Sequence, residues 1–241
     1  DDFVTDQVFY ESKDGTKVPM FIVRKKSVLP SLDHTPSEPI LTTLYGYGGF
    51  SVPITPFFSP KRLAYLNNME GMLCVANIRG GGEYGEEWHQ GGTREKKQNV
   101  LDDYISAAEF LINKKFTSPQ KLIAEGNSNG GLLVSACTNQ RPDLFAGVIC
   151  QVPVTDMLRV HKFTIGQQLI AEYGCSEIDD GFDYISKYSP LHNITAKKYP
   201  PILITTGDHD DMVVPLHSMK FMAELQYTAG NFENQSPFLL R

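Results

Sequence analysis

The chain has 241 residues and a formal net charge of −6, and 41% of its residues are hydrophobic. A chain of this size and composition can bury a sizeable core, which excludes a mainly disordered protein. The acidic balance argues against nucleic acid and against an anionic membrane surface as partners, and no apolar run approaches the roughly 20 residues that span a bilayer.

The N-terminal part of the chain is predicted to form an antiparallel β-hairpin. Residues 3–10 and 17–24 favour strands, and Asp14-Gly15 between them suits a tight turn. From residue 40 onward, short apolar runs alternate with segments of helical length, which indicates an α/β fold with a mostly parallel central sheet and helices on both faces. The predicted strands are 40–44, 72–77, 122–125, 147–152 and 202–206, and the predicted helices are 60–68, 100–114, 129–139, 157–170 and 216–228.

The four cysteines are predicted to be buried thiols. None lies in a C-x-x-C pair or beside a histidine at zinc-site spacing. No signal peptide is visible at the N-terminus. We therefore expect a cytoplasmic protein with neither a disulfide framework nor a metal site.

One loop between a predicted strand and a predicted helix carries the sequence G-x-S-x-G. The strand at 122–125 leads straight into Gly126-Asn127-Ser128-Asn129-Gly130. In this setting the serine is expected on a strained turn above the sheet, and the two glycines avoid collisions with neighbouring backbone. The amide N–H of Asn129, at the helix N-terminus, can stabilise an oxyanion. Ser128 is therefore predicted to be a nucleophile, the alternative being a glycine-rich turn with a capping serine.

A loop rich in carboxylates follows the strand at 202–206. A nucleophilic serine of this fold class needs an acid downstream, in the order Ser, Asp, His. Asp208, Asp210 and Asp211 all lie in this loop, and spacing alone does not choose among them. A plain solvated acidic loop is the alternative.

The six histidines offer no well-placed base. Four of them precede the acidic loop, His209 lies inside it, and His217 falls in the first turn of the next helix. We therefore expect the base beyond Arg241, where a last strand has only begun. We interpret His217 as a capping or core residue, the alternative being an unusual base.

The loop after the first central strand is the second candidate for binding an oxyanion. It reads Tyr45-Gly46-Tyr47-Gly48-Gly49-Phe50, and its glycines allow a close approach of backbone to a ligand. Either tyrosine could aim a phenol at the developing charge. The alternative is a flexible loop with two packed aromatic rings.

These motifs resemble the prolyl oligopeptidase family, whose members are serine peptidases of the α/β-hydrolase fold. The similar stretches are 45–50, 76–89, 129–145, 157–166, 187–193 and 207–221. The resemblance implies Ser128 as the nucleophile, Asp210 as the acid, and a histidine a short way past Arg241. It also implies the Tyr47 hydroxyl and the Asn129 amide as oxyanion donors. Residues that would line the proline-binding pocket are Phe50, Val154, Tyr173 and Val213, together with the altered positions Leu169 and Met212.

The resemblance also implies a domain organisation. Residues 1–241 would be the peptidase domain, cut before the histidine loop. The family carries a β-propeller ahead of this domain that admits only short peptides, and it is missing from this chain. The resemblance further implies a monomer that needs no cofactor.

Three positions depart from the family pattern. Asn127 precedes the serine where glycine is usual, Met212 replaces an arginine that holds substrate carbonyls, and Leu169 replaces a tryptophan that stacks on the substrate proline. These changes remove charge-assisted hydrogen bonds and an aromatic platform. They predict a weaker preference for proline.

The combined prediction is a serine endopeptidase that cleaves short peptides after proline through an acyl-enzyme. One alternative is a transpeptidase or macrocyclase of the same family, because a roomier, less polar site suits attack by an amine. A carboxylesterase on the same fold and a catalytically inactive scaffold relative are the others.

Overall fold

One eight-stranded sheet organises the structure, a computed structural model that describes residues 2–233 and 235–241. Its strand order is β1-β2-β4-β3-β5-β6-β7-β8. The strands are β1 (Phe3–Glu11), β2 (Lys17–Lys25), β3 (Thr42–Gly46), β4 (Met72–Ala76), β5 (Leu122–Asn127), β6 (Gly147–Gln151), β7 (Ile202–Thr205) and β8 (Phe238–Leu240).

The predicted hairpin is confirmed and forms one edge of the sheet. β1 pairs antiparallel with β2, with Phe3 opposite Lys25 and Glu11 opposite Lys17. Gly15 takes a φ of +83° in the turn, a conformation that favours glycine. β2 then pairs antiparallel with β4, which joins the hairpin to the parallel part of the sheet.

The strands β4, β3, β5, β6, β7 and β8 run parallel to one another, as the alternating pattern predicts. Every residue of β4 is buried, because this continuous apolar strand is covered on both faces. Parallel strands place their carboxyl ends at one edge, so the loops after β3, β5 and β7 meet there.

Helices cover both faces of the sheet. The helices are α1 (Pro60–Asn68), α2 (Glu86–Gln90), α3 (Lys97–Asn113), α4 (Asn129–Gln140), α5 (Ile170–Tyr173), α6 (Gly181–Tyr188) and α7 (Leu216–Thr228). α3, α4 and α7 pack with the main core on one face, whereas α1 packs against β2 and β4 on the other. The main core contains three of the cysteines; all four, Cys74, Cys137, Cys150 and Cys175, are buried free thiols, as expected.

The helix predicted over 157–170 is wrong. This segment folds into two short 3₁₀ turns, Val160–Lys162 and Gly166–Leu169, before α5 begins. A Cβ at Gly166 would lie 1.9 Å from the Val160 carbonyl oxygen, so the segment folds back on itself more tightly than a helix does. Short 3₁₀ helices are also found at Arg94–Lys96, Pro142–Leu144 and Pro190–His192. Within the described residues, no helix is long and apolar enough to cross a membrane.

Candidate active site

Ser128 occupies a sharp turn between β5 and α4. Its φ of 55° and ψ of −116° lie outside the regions that L-residues prefer, which is the strain expected of a nucleophile elbow. A Cβ at Gly126 would lie 2.0 Å from the Gly130 carbonyl oxygen, and a Cβ at Gly130 would lie 2.5 Å from the Gly46 carbonyl oxygen. Both glycines are therefore required for the approach of helix to strand. The Ser128 N–H donates to the Gln151 carbonyl (2.9 Å), which ties the turn to β6.

Two groups suited to binding an oxyanion lie beside this serine. The N–H of Asn129 is the first of α4, so no carbonyl of that helix is available to accept from it. Burial raises the pKa of the Tyr47 phenol, as does the nearby Glu172 carboxylate, while the Ser128 side chain partly counteracts them. Tyr47 is therefore protonated near neutral pH and can donate a hydrogen bond.

Side-chain hydrogen bonds hold the Tyr47 loop against α4. Asn129 Nδ2 donates to the Tyr47 carbonyl at 2.5 Å, and the Tyr173 hydroxyl donates to Asn129 Oδ1 at 2.8 Å. A Cβ at Gly49 would lie 2.6 Å from Asn129 Nδ2, so the loop needs glycine to come this close. The loop is thus packed rather than flexible.

The loop after β7 distinguishes its three carboxylates. Asp210 is partly buried, and its Oδ1 accepts from the N–H groups of Met212 (3.0 Å) and Val213 (2.9 Å). Its other oxygen makes no hydrogen bond within the described residues and is available to an imidazole. The side chain of Asp208 is 89% exposed and pairs with His209, and Asp211 is also exposed.

His217 is buried in the cavity wall, and its hydrogen bonds do not suit a member of a catalytic triad. Its Nδ1 accepts from the backbone N–H groups of Asp156 (3.0 Å) and Thr155 (3.3 Å). Its Nδ1 is therefore not free to donate to Asp210. No histidine of the described residues pairs with the Asp210 carboxylate.

A cavity of about 250 Å³ opens beside Ser128 and Tyr47. The rings of Phe50 and Tyr173 meet edge to face in its wall, with centroids 5.5 Å apart. Its lining includes all six residues that the sequence assigns to substrate binding: Phe50, Val154, Leu169, Tyr173, Met212 and Val213. The site therefore brings the predicted nucleophile, oxyanion donors and pocket residues together.

Sequence reasoning missed part of the cavity wall. Val160, Phe163, Ile165 and Gly166 line it, and so does His217. The first four belong to the segment that was predicted as a helix, and only its similarity to the family over 157–166 hinted at a role. Among residues 2–233 and 235–241, no cluster of three or more His, Cys, Asp or Glu side chains could hold a metal ion.

Comparison with known proteins links this geometry to a family. Residues 56–237 match the sequence profile of the prolyl oligopeptidase family. A prolyl endopeptidase of Dictyostelium discoideum is 49% identical over 243 residues, and a dual function macrocyclase-peptidase of Galerina marginata (strain CBS 339.88) is 48% identical over 243 residues. Both alignments cover 100% of this chain but only 31% and 32% of the relatives, so the chain spans about a third of their length.

A solved structure has the same fold. Prolyl oligopeptidase B from Galerina marginata, bound to a 35mer hydrolysis and macrocyclization substrate, gives a TM-score of 0.93 at 46% identity. That match covers 99% of this chain and 33% of the other. With a profile match over most of the chain, and with relatives nearly half identical along all of it, this chain belongs to the prolyl oligopeptidase family.

Proposed function

We propose that this chain is the catalytic domain of a serine peptidase that cleaves short peptides after proline. The observation that carries the proposal is the position of Ser128, on a strained elbow at the mouth of an apolar cavity and beside two oxyanion donors. An apolar cavity of about 250 Å³ suits a small hydrophobic side chain such as that of proline.

The proposed reaction is acyl transfer through a covalent intermediate. The Ser128 oxygen attacks the carbonyl carbon of the peptide bond while a histidine takes its proton. The Tyr47 hydroxyl and the Asn129 N–H donate to the oxygen that becomes negative. The tetrahedral intermediate then collapses, the histidine gives the proton to the leaving amine, and water hydrolyses the acyl-enzyme.

The base in this scheme is a histidine that we place after Arg241 in the whole protein. Asp210 supports that assignment, because one of its oxygens is fixed by two backbone N–H groups and the other is available. A carboxylate held in this way can orient an imidazole and stabilise its protonated form.

The whole protein is proposed to carry a β-propeller domain and to act as a cytoplasmic monomer on short peptides. The share of the relatives that this chain spans, 31–32%, leaves room for a large second domain. Four buried free thiols suit a reducing compartment.

Transfer to an amine is the second candidate function. The curated relatives include a macrocyclase-peptidase with nearly the same identity to this chain as the prolyl endopeptidase. Leu169 and Met212 make the cavity rim apolar, which favours an incoming amine over water. Adding a peptide with a free N-terminus to the assay and measuring the ratio of ligated to hydrolysed product tests this candidate.

The main experiment is reaction of the full-length protein with a fluorophosphonate probe. Wild-type protein is expected to be labelled and to cleave a fluorogenic Gly-Pro peptide, whereas Ser128→Ala is expected to lose both activities. Ser135→Ala is the matched control, because Ser135 is buried in α4 against Cys150 (3.3 Å) and lies outside the cavity. Undiminished labelling of Ser128→Ala would reject the assignment.

Substrate tests separate the remaining alternatives. Cleavage of esters without cleavage of peptides would indicate a carboxylesterase. A wild-type protein that neither reacts with the probe nor turns over any substrate would indicate a scaffold protein.

A further inference from the structure

Two oppositely charged side chains are buried behind the loop that carries Tyr47. Lys97, the first residue of α3, is 1% exposed, and Glu172 on α5 is 4% exposed. The Lys97 Nζ lies 3.6 Å from Glu172 Oε1, and Glu172 Oε2 lies 2.7 Å from His89 Nε2. Neither Lys97 nor Glu172 is part of the reaction described above.

The location of Lys97 opposes stability in two ways. Burial disfavours its charge and lowers the pKa of its amine to about 8, with Glu172 counteracting. Its place at the beginning of α3 also puts a cation at the positive end of the helix dipole. The burial of Lys97 beside Glu172 is therefore weak evidence for a stabilising role.

The Lys97 amine binds the Tyr47 loop directly. Its Nζ donates to the Gly48 carbonyl at 3.0 Å. Gly48 has a φ of +62°, and a Cβ there would lie 2.4 Å from Val100 Cγ1, so the loop lies directly on α3. The preceding carbonyl, that of Tyr47, accepts from Asn129. Two consecutive carbonyls are thus each held by a buried side chain.

Two consecutive residues of α5 contact the two side chains that bind these carbonyls. Glu172 lies against Lys97, and Tyr173 donates to the Asn129 side chain. The Lys97 amine also lies over the Tyr173 ring, 5.4 Å from its centroid. The backbone on the C-terminal side of Tyr47 is therefore fixed by one connected set of side chains, and this backbone sets the direction of its phenol.

We propose that Lys97 and Glu172 are positioning residues that hold the Tyr47 phenol where an oxyanion forms. The inference rests on the proposed function, because it assigns them to the oxyanion site of the acyl-transfer reaction. Lys97 acts through the Gly48 carbonyl, and Glu172 keeps the Lys97 amine in place. Neither side chain contacts the substrate in this role.

A double-mutant cycle on the full-length enzyme tests the inference. Tyr47→Phe removes an oxyanion donor, so kcat is expected to fall about 100-fold. Lys97→Met keeps an apolar chain of similar length but loses the donor, and we expect about a tenfold fall in kcat with KM within about twofold. In the Tyr47→Phe background, Lys97→Met is expected to lower kcat by less than about twofold, because the group it positions is already gone.

A matched control and a second variant distinguish the positioning role from a general loss of folding. Arg24 is also a buried cation that binds a backbone carbonyl, that of Leu29 (2.8 Å), and a carboxylate, that of Asp6 (2.6 Å), but it lies in the hairpin. Arg24→Met is expected to lower Tm and to leave kcat and KM within about twofold. If Lys97→Met does not fold, Glu172→Gln preserves the side-chain volume and enters the same cycle, with an expected fall in kcat of about threefold.

The outcomes separate the inference from the proposed function. If Tyr47→Phe lowers kcat but Lys97→Met and Glu172→Gln do not, the positioning role is rejected and the proposed function stands. An undiminished effect of Lys97→Met in the Tyr47→Phe background, or a rise in KM alone, also rejects it. If Tyr47→Phe leaves kcat unchanged, Tyr47 is not an oxyanion donor and the inference is rejected, whereas the proposed function is judged separately by the Ser128→Ala experiment.

Discussion

The Tyr45 hydroxyl on β3 donates a 2.6 Å hydrogen bond to the side-chain oxygen of Asn127 on β5. Asn127 immediately precedes the proposed nucleophile and stands where the resemblance to the family implies a glycine. This hydrogen bond therefore ties the strand end that carries Ser128 to its neighbouring strand, an attachment that a glycine could not make.

We expect Asn127→Gly to lower the free energy of unfolding by about 1–2 kcal/mol, because the partly buried Tyr45 hydroxyl loses its acceptor. Adding Tyr45→Phe should recover part of this loss, since both polar partners are then absent. Urea denaturation of the single and double variants measures the coupling.

Tyr65→Phe provides the control for this cycle. Tyr65 donates to the Leu41 carbonyl at 3.0 Å and does not bond to Asn127. Its effect should add to that of Asn127→Gly. If Tyr45→Phe and Tyr65→Phe show equal coupling energies with Asn127→Gly, the hydrogen bond between Tyr45 and Asn127 is not the cause of the coupling.

The choice of Asp210 among three carboxylates leads to a second prediction. Asp210→Asn preserves an oxygen for the Met212 and Val213 N–H groups but loses the charge, so kcat is expected to fall about 10³-fold or more with the fold intact. Asp208→Asn and Asp211→Asn change exposed side chains and should leave kcat within about twofold. If Asp208→Asn or Asp211→Asn loses activity while Asp210→Asn stays active, the triad acid is the other residue and not Asp210.

Sequence reasoning located the chemical groups better than the pocket around them. Ser128 and Tyr47 follow strands in motifs of specific composition, so local sequence predicted them. The choice of Asp210 depends on burial and on two backbone N–H groups, which spacing does not encode. The resemblance supplied it instead.

The pocket wall and its supports depend on tertiary packing. The segment 157–170 has apolar residues that also suit a helix, but close contact between Gly166 and Val160 replaces the helix with turns. Lys97 and Glu172 are 75 positions apart in sequence and meet only because α3 and α5 pack behind the same loop. No local sequence pattern predicts that these two side chains meet.

The pocket residues that differ from the family pattern lead to a third prediction, which concerns substrate specificity. Leu169 lines the cavity, and Leu169→Trp would supply an aromatic face for a proline ring. The ratio of kcat/KM for proline over alanine at the cleaved position should rise about three- to tenfold. Leu169→Met conserves volume and chemistry, so it should leave the ratio unchanged. An unchanged ratio in Leu169→Trp would show that the wall at this position does not contact the substrate.

Met212 lies at the rim of the same cavity and is 64% exposed. Met212→Arg would add donors for substrate carbonyls, so KM for Gly-Pro peptides is expected to fall several-fold with little change in kcat. Met212→Gln is the control for polarity without charge, and an equal effect of both variants would rule out charge assistance. If the apolar rim favours amine attack, Met212→Arg should also lower the share of ligated product.

His217 gives the protein a predictable dependence of stability on pH. Burial lowers the pKa of its imidazole from the usual 6.5 to about 4, with Asp156 counteracting and Lys220 adding to the effect. Between these two values the unfolded chain binds a proton that the folded chain does not. Stability is therefore complete above pH 6.5 and declines as the pH falls toward 4, by about 3 kcal/mol in all.

His217→Asn should remove this component, because asparagine Oδ1 stands at the position of the imidazole Nδ1 and can accept from the Thr155 and Asp156 N–H groups without taking up a proton. Between pH 7.5 and pH 4.5, the unfolding free energy of the variant should decline by about 2–3 kcal/mol less than that of wild type. Urea denaturation at several pH values measures the difference. His209→Asn alters a histidine that is 94% exposed and should keep the wild-type decline. The same decline in His217→Asn would show that another group titrates.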